Sequence, residues 1–325
     1  MEPKTTARSS TVSIKVAIGV LSAVFAVAVY RAAVHPIGAG EAYLYDRFVR
    51  PTTRQVLASE LPDRDVLYSL LEKRSVGLFH VSPLSVRLPS LLFAVLYLFA
   101  VWRLARLFLG SGWRFLAAAA AGGAVVLLGN WFWRADGAGA AIALLLCAIW
   151  LAGERRNFNL IGICLGLSVA AQMSFAIPAA AVALAILAFW RRWSGWIDHV
   201  LIPAVVVALI LLILPLTHGY APAESAPELT AGQAAHLQSA LGALRIDAGS
   251  GHISIAALPA AEPVVNFYRA QHRAGNWDRA RRDSSEHFDY YLFPAAQAAT
   301  AAERHLIVIY RDADFIVAHR SYAAM

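Results

Sequence analysis

Apolar residues along this chain gather into seven runs: 13–34, 88–109, 114–133, 137–152, 158–174, 175–190 and 196–216. Crossing a bilayer as a helix takes about 17 to 25 mainly apolar residues, so each run is a candidate span. The fourth to sixth are short, and the fifth and sixth abut near Ser174 to Pro178, where a re-entrant hairpin is the competing reading. The loop 35–87 between the first two runs has a pattern of its own. "EAYLYDRFV" predicts a short helix stopped by Pro51. In "DVLYSLLEKRSVGLF", Val66, Leu67, Leu70 and Leu71 recur at helical spacing while Glu72, Lys73 and Arg74 fall elsewhere. That spacing predicts an amphipathic helix along a membrane surface.

After His218 the pattern changes. A Pro/Ala/Gly linker leads into "LTAGQAAHLQSALGALR", a predicted helix with Thr230 as its N-cap. Strands are predicted at "HISIAA", "PVVNFY", "FDYYLF", "LIVIYRD" and "FIVAHR", the last two forming a hairpin. The expected fold is therefore a polytopic α-helical membrane protein of about seven transmembrane helices, residues 1–217, followed by a small α/β domain, residues 218–325.

Composition agrees with the membrane reading: 59% of residues are apolar, 15% are charged, and the mean hydropathy is +0.56. The net charge of +7 lies wholly in the first 217 residues, since the remainder holds nine Arg against eleven acids. Its placement reads as orientation, not nucleic-acid affinity. Lys4, Arg8, Lys15, then Arg103, Arg106, Arg114, then Arg155, Arg156, then Arg191, Arg192 occupy alternate loops. The N-terminus is accordingly expected in the cytoplasm of an inner (plasma) membrane protein, and loop 35–87 and the C-terminal domain outside it.

No charge sits at the middle of a run, which argues against an ion-coupled carrier. Cys147 and Cys164 both lie inside apolar runs, offering neither a disulfide framework nor a thiolate metal site. Neither a nucleotide-binding glycine pattern nor a GxSxG motif occurs. No cofactor and no metal site are expected.

The order of features does carry a resemblance. A first span, Glu41 followed by aromatics in "GEAYLYD", a "VLYSLL" surface helix, "RLPSLL" opening the second span, and "RADGAGAA" before the fourth resemble the integral-membrane glycosyltransferases of the GT-C class, relatives of protein O-mannosyltransferases and lipid A aminoarabinose transferases. The likeness covers about 13–216. It implies transfer of a sugar from a polyprenyl phosphate to an acceptor on the outer face of the membrane. The family usually has Asp-Glu after the first span, its Asp commonly the base; here Gly40 takes the Asp position and Glu41 remains. Where relatives show Asn-His before "VLYSLL", Arg64 and Asp65 stand.

This chemistry needs a carboxylate to accept the proton of the attacking hydroxyl and a guanidinium to hold a phosphate with paired donors. Glu41, then Asp136, are the candidate bases. Arg87 and Arg134 are the candidate phosphate ligands, and Tyr43, Asp46 and Asp65 complete the substrate-binding set. As simple alternatives, Glu41 and Asp46 are solvated loop acids, the arginines interfacial anchors, and the arginine-rich "RAQHRAGNWDRARRD" a solvated face. "AAAAAGGA", residues 117–124, reads as a close helix-packing face. The partners implied are a lipid-linked sugar and membrane lipids. A catalytically inactive accessory subunit of a membrane complex, or a lipid-glycan binder, is the second functional reading.

Overall fold

The computed structural model describes residues 4–50, 66–155, 158–189, 229–282 and 287–320. The seventh apolar run, Asp65 and Pro51 lie outside these residues. The chain divides into two units, one of 1–34, 52–75 and 84–223, the other of 35–51, 76–83 and 224–325. Residues 35–51 and 76–83, expected with the membrane helices, group with the C-terminal residues.

The first unit is helical: α1 (Lys4–Val34), most of a helix α3 (Val66–Phe79), α4 (Pro83–Leu109), α5 (Trp113–Leu128), α6 (Gly137–Gly153), α7 (Phe158–Ala171) and α8 (Ala176–Phe189). Two stretches, Val12–Val34 and Pro83–Leu109, are long and apolar enough to cross a membrane. The four helices α5 to α8 are apolar but hold only 14 to 17 residues, about 21 to 26 Å at 1.5 Å per residue, short of a ~30 Å hydrocarbon core. The third run ends as a helix at Leu128, not Trp133. Gly129 is extended there (ψ 138°), and Asn130–Phe132 form a 3-10 turn that sends Phe132 into the core.

Small residues set the spacing between helices. Ala17, Leu21, Val24, Ala28 and Ala32 form one buried stripe on α1. A Cβ added at Gly123 of α5 would lie 3.1 Å from Leu21 Cδ2, and one at Gly122 would lie 2.4 Å from Val101 Cγ1 of α4. The packing face expected at 117–124 is thus present. The other sides of these helices are apolar and uncovered: Val16, Ile18, Val20 and Val27 on α1, Leu92 and Val95 on α4, and Ile177 and Leu184 on α8 are exposed.

The second unit contains α2 (Ala39–Leu44), the π-helical turn Tyr45–Val49, α9 (Ala231–Ala248), β1 (Ile255–Ala257), α10 (Glu262–Gln271), β2 (Arg281–Arg282), β3 (Tyr290–Pro294), α11 (Ala298–Glu303), β4 (Leu306–Arg311) and β5 (Phe315–Arg320). Among the described residues its five strands run in the order β2-β1-β3-β5-β4. β1 is parallel to both neighbours, β3 and β5 are antiparallel, and the expected β4–β5 hairpin forms with an irregularity between Val308 and Tyr310.

"PVVNFY", expected as a strand, is helix α10. Pro263 stands in the first turn, where it loses nothing, and Val264, Val265, Phe267 and Tyr268 share one buried helical face. α9 begins as expected: Thr230 Oγ1 accepts from Gln233 N at 3.2 Å, and Gln233 Oε1 accepts from Thr230 N at 3.0 Å. Thr230→Ala is expected to destabilise this unit by about 1 kcal/mol, seen as a lower melting temperature.

The hairpin turn is built on Asp312. Its Oδ1 accepts from the backbone N–H groups of Asp314 (2.8 Å) and Phe315 (2.7 Å), and its Oδ2 from Tyr310 Oη (2.8 Å) and His236 Nδ1 (2.9 Å). Residues 35–49 belong to the same core. Ile37, Ala42, Phe48 and Val49 are buried, and the Tyr45 ring meets Phe267 of α10 edge-on at 5.3 Å.

Candidate functional site

Several buried polar groups of the helical unit lie on α3 and the start of α4. α3 turns its polar side inward: Tyr68, Ser69, Glu72 and Ser75 are buried, while Leu71 (37%), Leu78 (65%) and Phe79 (61%) are exposed. Glu72, expected on the outward face, is only 1% exposed. Hydroxyls tie this face to the start of α4. Ser75 Oγ donates to Ser85 O at 2.6 Å, and Tyr68 Oη lies 2.8 Å from Ser90 Oγ. Ser90 has one proton, which it gives to Arg134 O at 2.6 Å, so the Tyr68 hydroxyl is the donor to Ser90.

Arg87, fully buried, donates from Nη1 to Ala32 O at 2.9 Å, in the last turn of α1 where helical carbonyls need outside donors. Arg31 similarly donates to Leu127 O at the end of α5. The guanidinium of Arg134, half-buried, stands 5.2 Å over the Trp133 ring. Asp136 is the N-cap of α6, its Oδ1 accepting from Ala138 N at 2.8 Å. Ser90, three residues after Arg87 on α4, thus bonds the backbone of Arg134, two residues before Asp136.

The candidates Glu41, Tyr43 and Asp46 lie in the second unit. Glu41 is buried and reaches back along its own helix, Oε2 accepting from Gly38 N at 2.8 Å. Tyr43 is half-buried. Asp46 pairs with Arg279 and, at 3.2 Å, with Arg50. The arginines of "RAQHRAGNWDRARRD" are engaged within this unit: Arg269 Nε donates to Trp277 O at 2.6 Å, and Arg282 meets Glu262 at 3.3 Å. Both candidate bases thus stabilise helix starts as well as offering carboxylate chemistry. Among the described residues, no three His, Cys, Asp or Glu side chains stand where they could hold a metal ion.

Sequence reasoning missed Tyr68, Glu72, Ser90 and Arg31. The signal was available in part, since Tyr68, Ser69, Glu72 and Ser75 share one helical face by spacing alone. At α3 burial also pulls the Lys73 ammonium below its ordinary range. Set against known protein families, curated proteins and solved structures, the chain matches none.

Proposed function

We propose that this chain is a membrane protein of about seven spans, N-terminus cytoplasmic, that transfers a sugar from a polyprenyl phosphate to an acceptor at the outer face, as GT-C enzymes do. The observation that carries this reading is the inverted distribution of polarity in the helical unit. Buried hydroxyls, a guanidinium and a carboxylate lie on α3 and the start of α4, while large apolar side chains cover the helix exteriors. In water such exteriors would aggregate; against lipid they are the natural surface. The short helices α5 to α8 cross as part of a bundle that thins the bilayer locally or borrows interfacial length.

In this mechanism Arg87 and Arg134 hold the donor phosphate; the resemblance names Glu41 first and Asp136 second as the carboxylate that takes the acceptor's proton as the sugar leaves its phosphate. A catalytically silent accessory relative is the second reading. It is favoured by Gly40 in the family's Asp position and by the capping bonds that occupy one oxygen each of Glu41 and Asp136.

Purified protein supplied with polyprenyl-phosphate sugars tests both. Turnover is expected, with Glu41→Gln reducing it by about 10² or more while the protein stays folded. Wild type that is inert with every donor would remove the transferase reading. A Cβ at Gly40 meets nothing within 4 Å, so Gly40→Asp folds without strain. Activity appearing only in Gly40→Asp would establish the silent-relative reading.

A further inference from the structure

We infer that Glu72 is the buried counter-ion of Arg87, and that Glu72 is thereby the positioning residue for the guanidinium assigned above to the donor phosphate. The second half of this inference rests on that assignment; the pairing itself does not. Arg87 is fully buried, and a guanidinium withdrawn from water persists only where charge and hydrogen bonds replace its hydration. The Ala32 carbonyl supplies a neutral acceptor for one of its five N–H groups. Among the described residues of the helical unit, Glu72 is the acid most withdrawn from water, and it too needs compensation.

The register of α3 against α4 brings the two together. Ser75 is bonded to Ser85 O, and Tyr68 to Ser90. Glu72 lies between Tyr68 and Ser75 on the same buried face of α3, four residues from one and three from the other. Arg87 lies between Ser85 and Ser90 on the opposing turns of α4. A carboxylate and a guanidinium midway between two hydrogen-bonded contacts face each other. The ion pair would fix the plane of the guanidinium, and with it the geometry in which it meets a phosphate.

Two measurements on the full chain in detergent test this. Glu72→Gln and Arg87→Gln are each expected to lower the melting temperature, with the double variant falling no further than the worse single one. Additive losses would overturn the pairing. Native mass spectrometry with a short-chain polyprenyl phosphate as probe is expected to show affinity weakened by about tenfold or more in Glu72→Gln, with partial recovery in Glu72→Asp. Coupled melting with unchanged affinity would overturn the positioning role and leave a structural pair. Wild type that neither binds the probe nor turns over any donor would bring down the transferase reading, and the phosphate role with it, while the melting series still decides the pair.

Discussion

Gly139→Ala is expected to leave almost no folded protein. A methyl group at position 139 would lie 2.3 Å from Trp131 O and 3.0 Å from its carbonyl carbon, and 3.2 Å from Phe132 Cδ1. The obstacle is backbone, so no rotamer change relieves it. The 3-10 turn Asn130–Phe132 would have to leave α6, taking with it Phe132, fully buried and 4.6 Å from the Tyr97 ring. Overpacking of this kind costs about 3 kcal/mol or more, a large part of a typical domain's margin. Gly122→Ala is the milder comparison: its methyl would meet the Val101 side chain, which has some freedom to turn. The yield of monodisperse protein and its melting temperature should rank wild type above Gly122→Ala, and Gly122→Ala above Gly139→Ala. Equal yields for wild type and Gly139→Ala would refute the close approach of the turn to α6.

The second large effect is expected at Asp312. Burial works to raise this carboxyl, but the Phe315 N–H, the Tyr310 hydroxyl, the Asp314 N–H and His236 together outweigh it and bring it from the ordinary 3.8 down to about 2. A carboxylate depressed in the folded state contributes stability above its unfolded value and loses it as the pH falls through its folded value. The contribution, about 1 kcal/mol once solvent screening is allowed for, is therefore complete above about pH 4 and gone near about pH 2. Asp312→Ala removes the acceptor for two backbone donors at the tip of the β4–β5 hairpin and is expected to destabilise the second unit by about 3 kcal/mol at neutral pH. In the variant, the step in stability between about pH 4 and about pH 2 should shrink. An unchanged acid limb in urea titrations would show that the carboxylate is not the group responsible.

How much of this was legible depended on the kind of signal. The long apolar helices α1 and α4 followed from run length, and the β4–β5 hairpin followed from two β-branched segments around Asp312 to Asp314. The end of α5 did not, because Trp131, Phe132 and Trp133 are as apolar as a helix interior and only Gly129 marks the turn. "PVVNFY" misled because β-branched composition outvoted Pro263, which marks a helix start as readily as a strand. The inward turn of α3 was unreadable for a deeper reason. Periodicity separates a polar face from an apolar one but does not say which meets the core, and in α3 the polar face does, the reverse of the usual assignment. Glu72 was lost to that reversal. Glu41 and Asp136 were found as acids with chemistry to offer, and their second task was also in the sequence, Glu41 three residues after Gly38 and Asp136 directly before a Gly-Ala helix.

Nothing local announced that residues 35–51 fold with residues 224–325, since the partners are far apart along the chain. A ribosome adding roughly 5–20 residues per second makes the intervening stretch of about 170 residues in roughly 10 to 30 seconds. Throughout that interval Tyr45 has no Phe267 to meet edge-on. The early segment is a nascent-chain client that waits, and a chaperone that shields it until Phe267 arrives would be expected to set the yield of the finished protein.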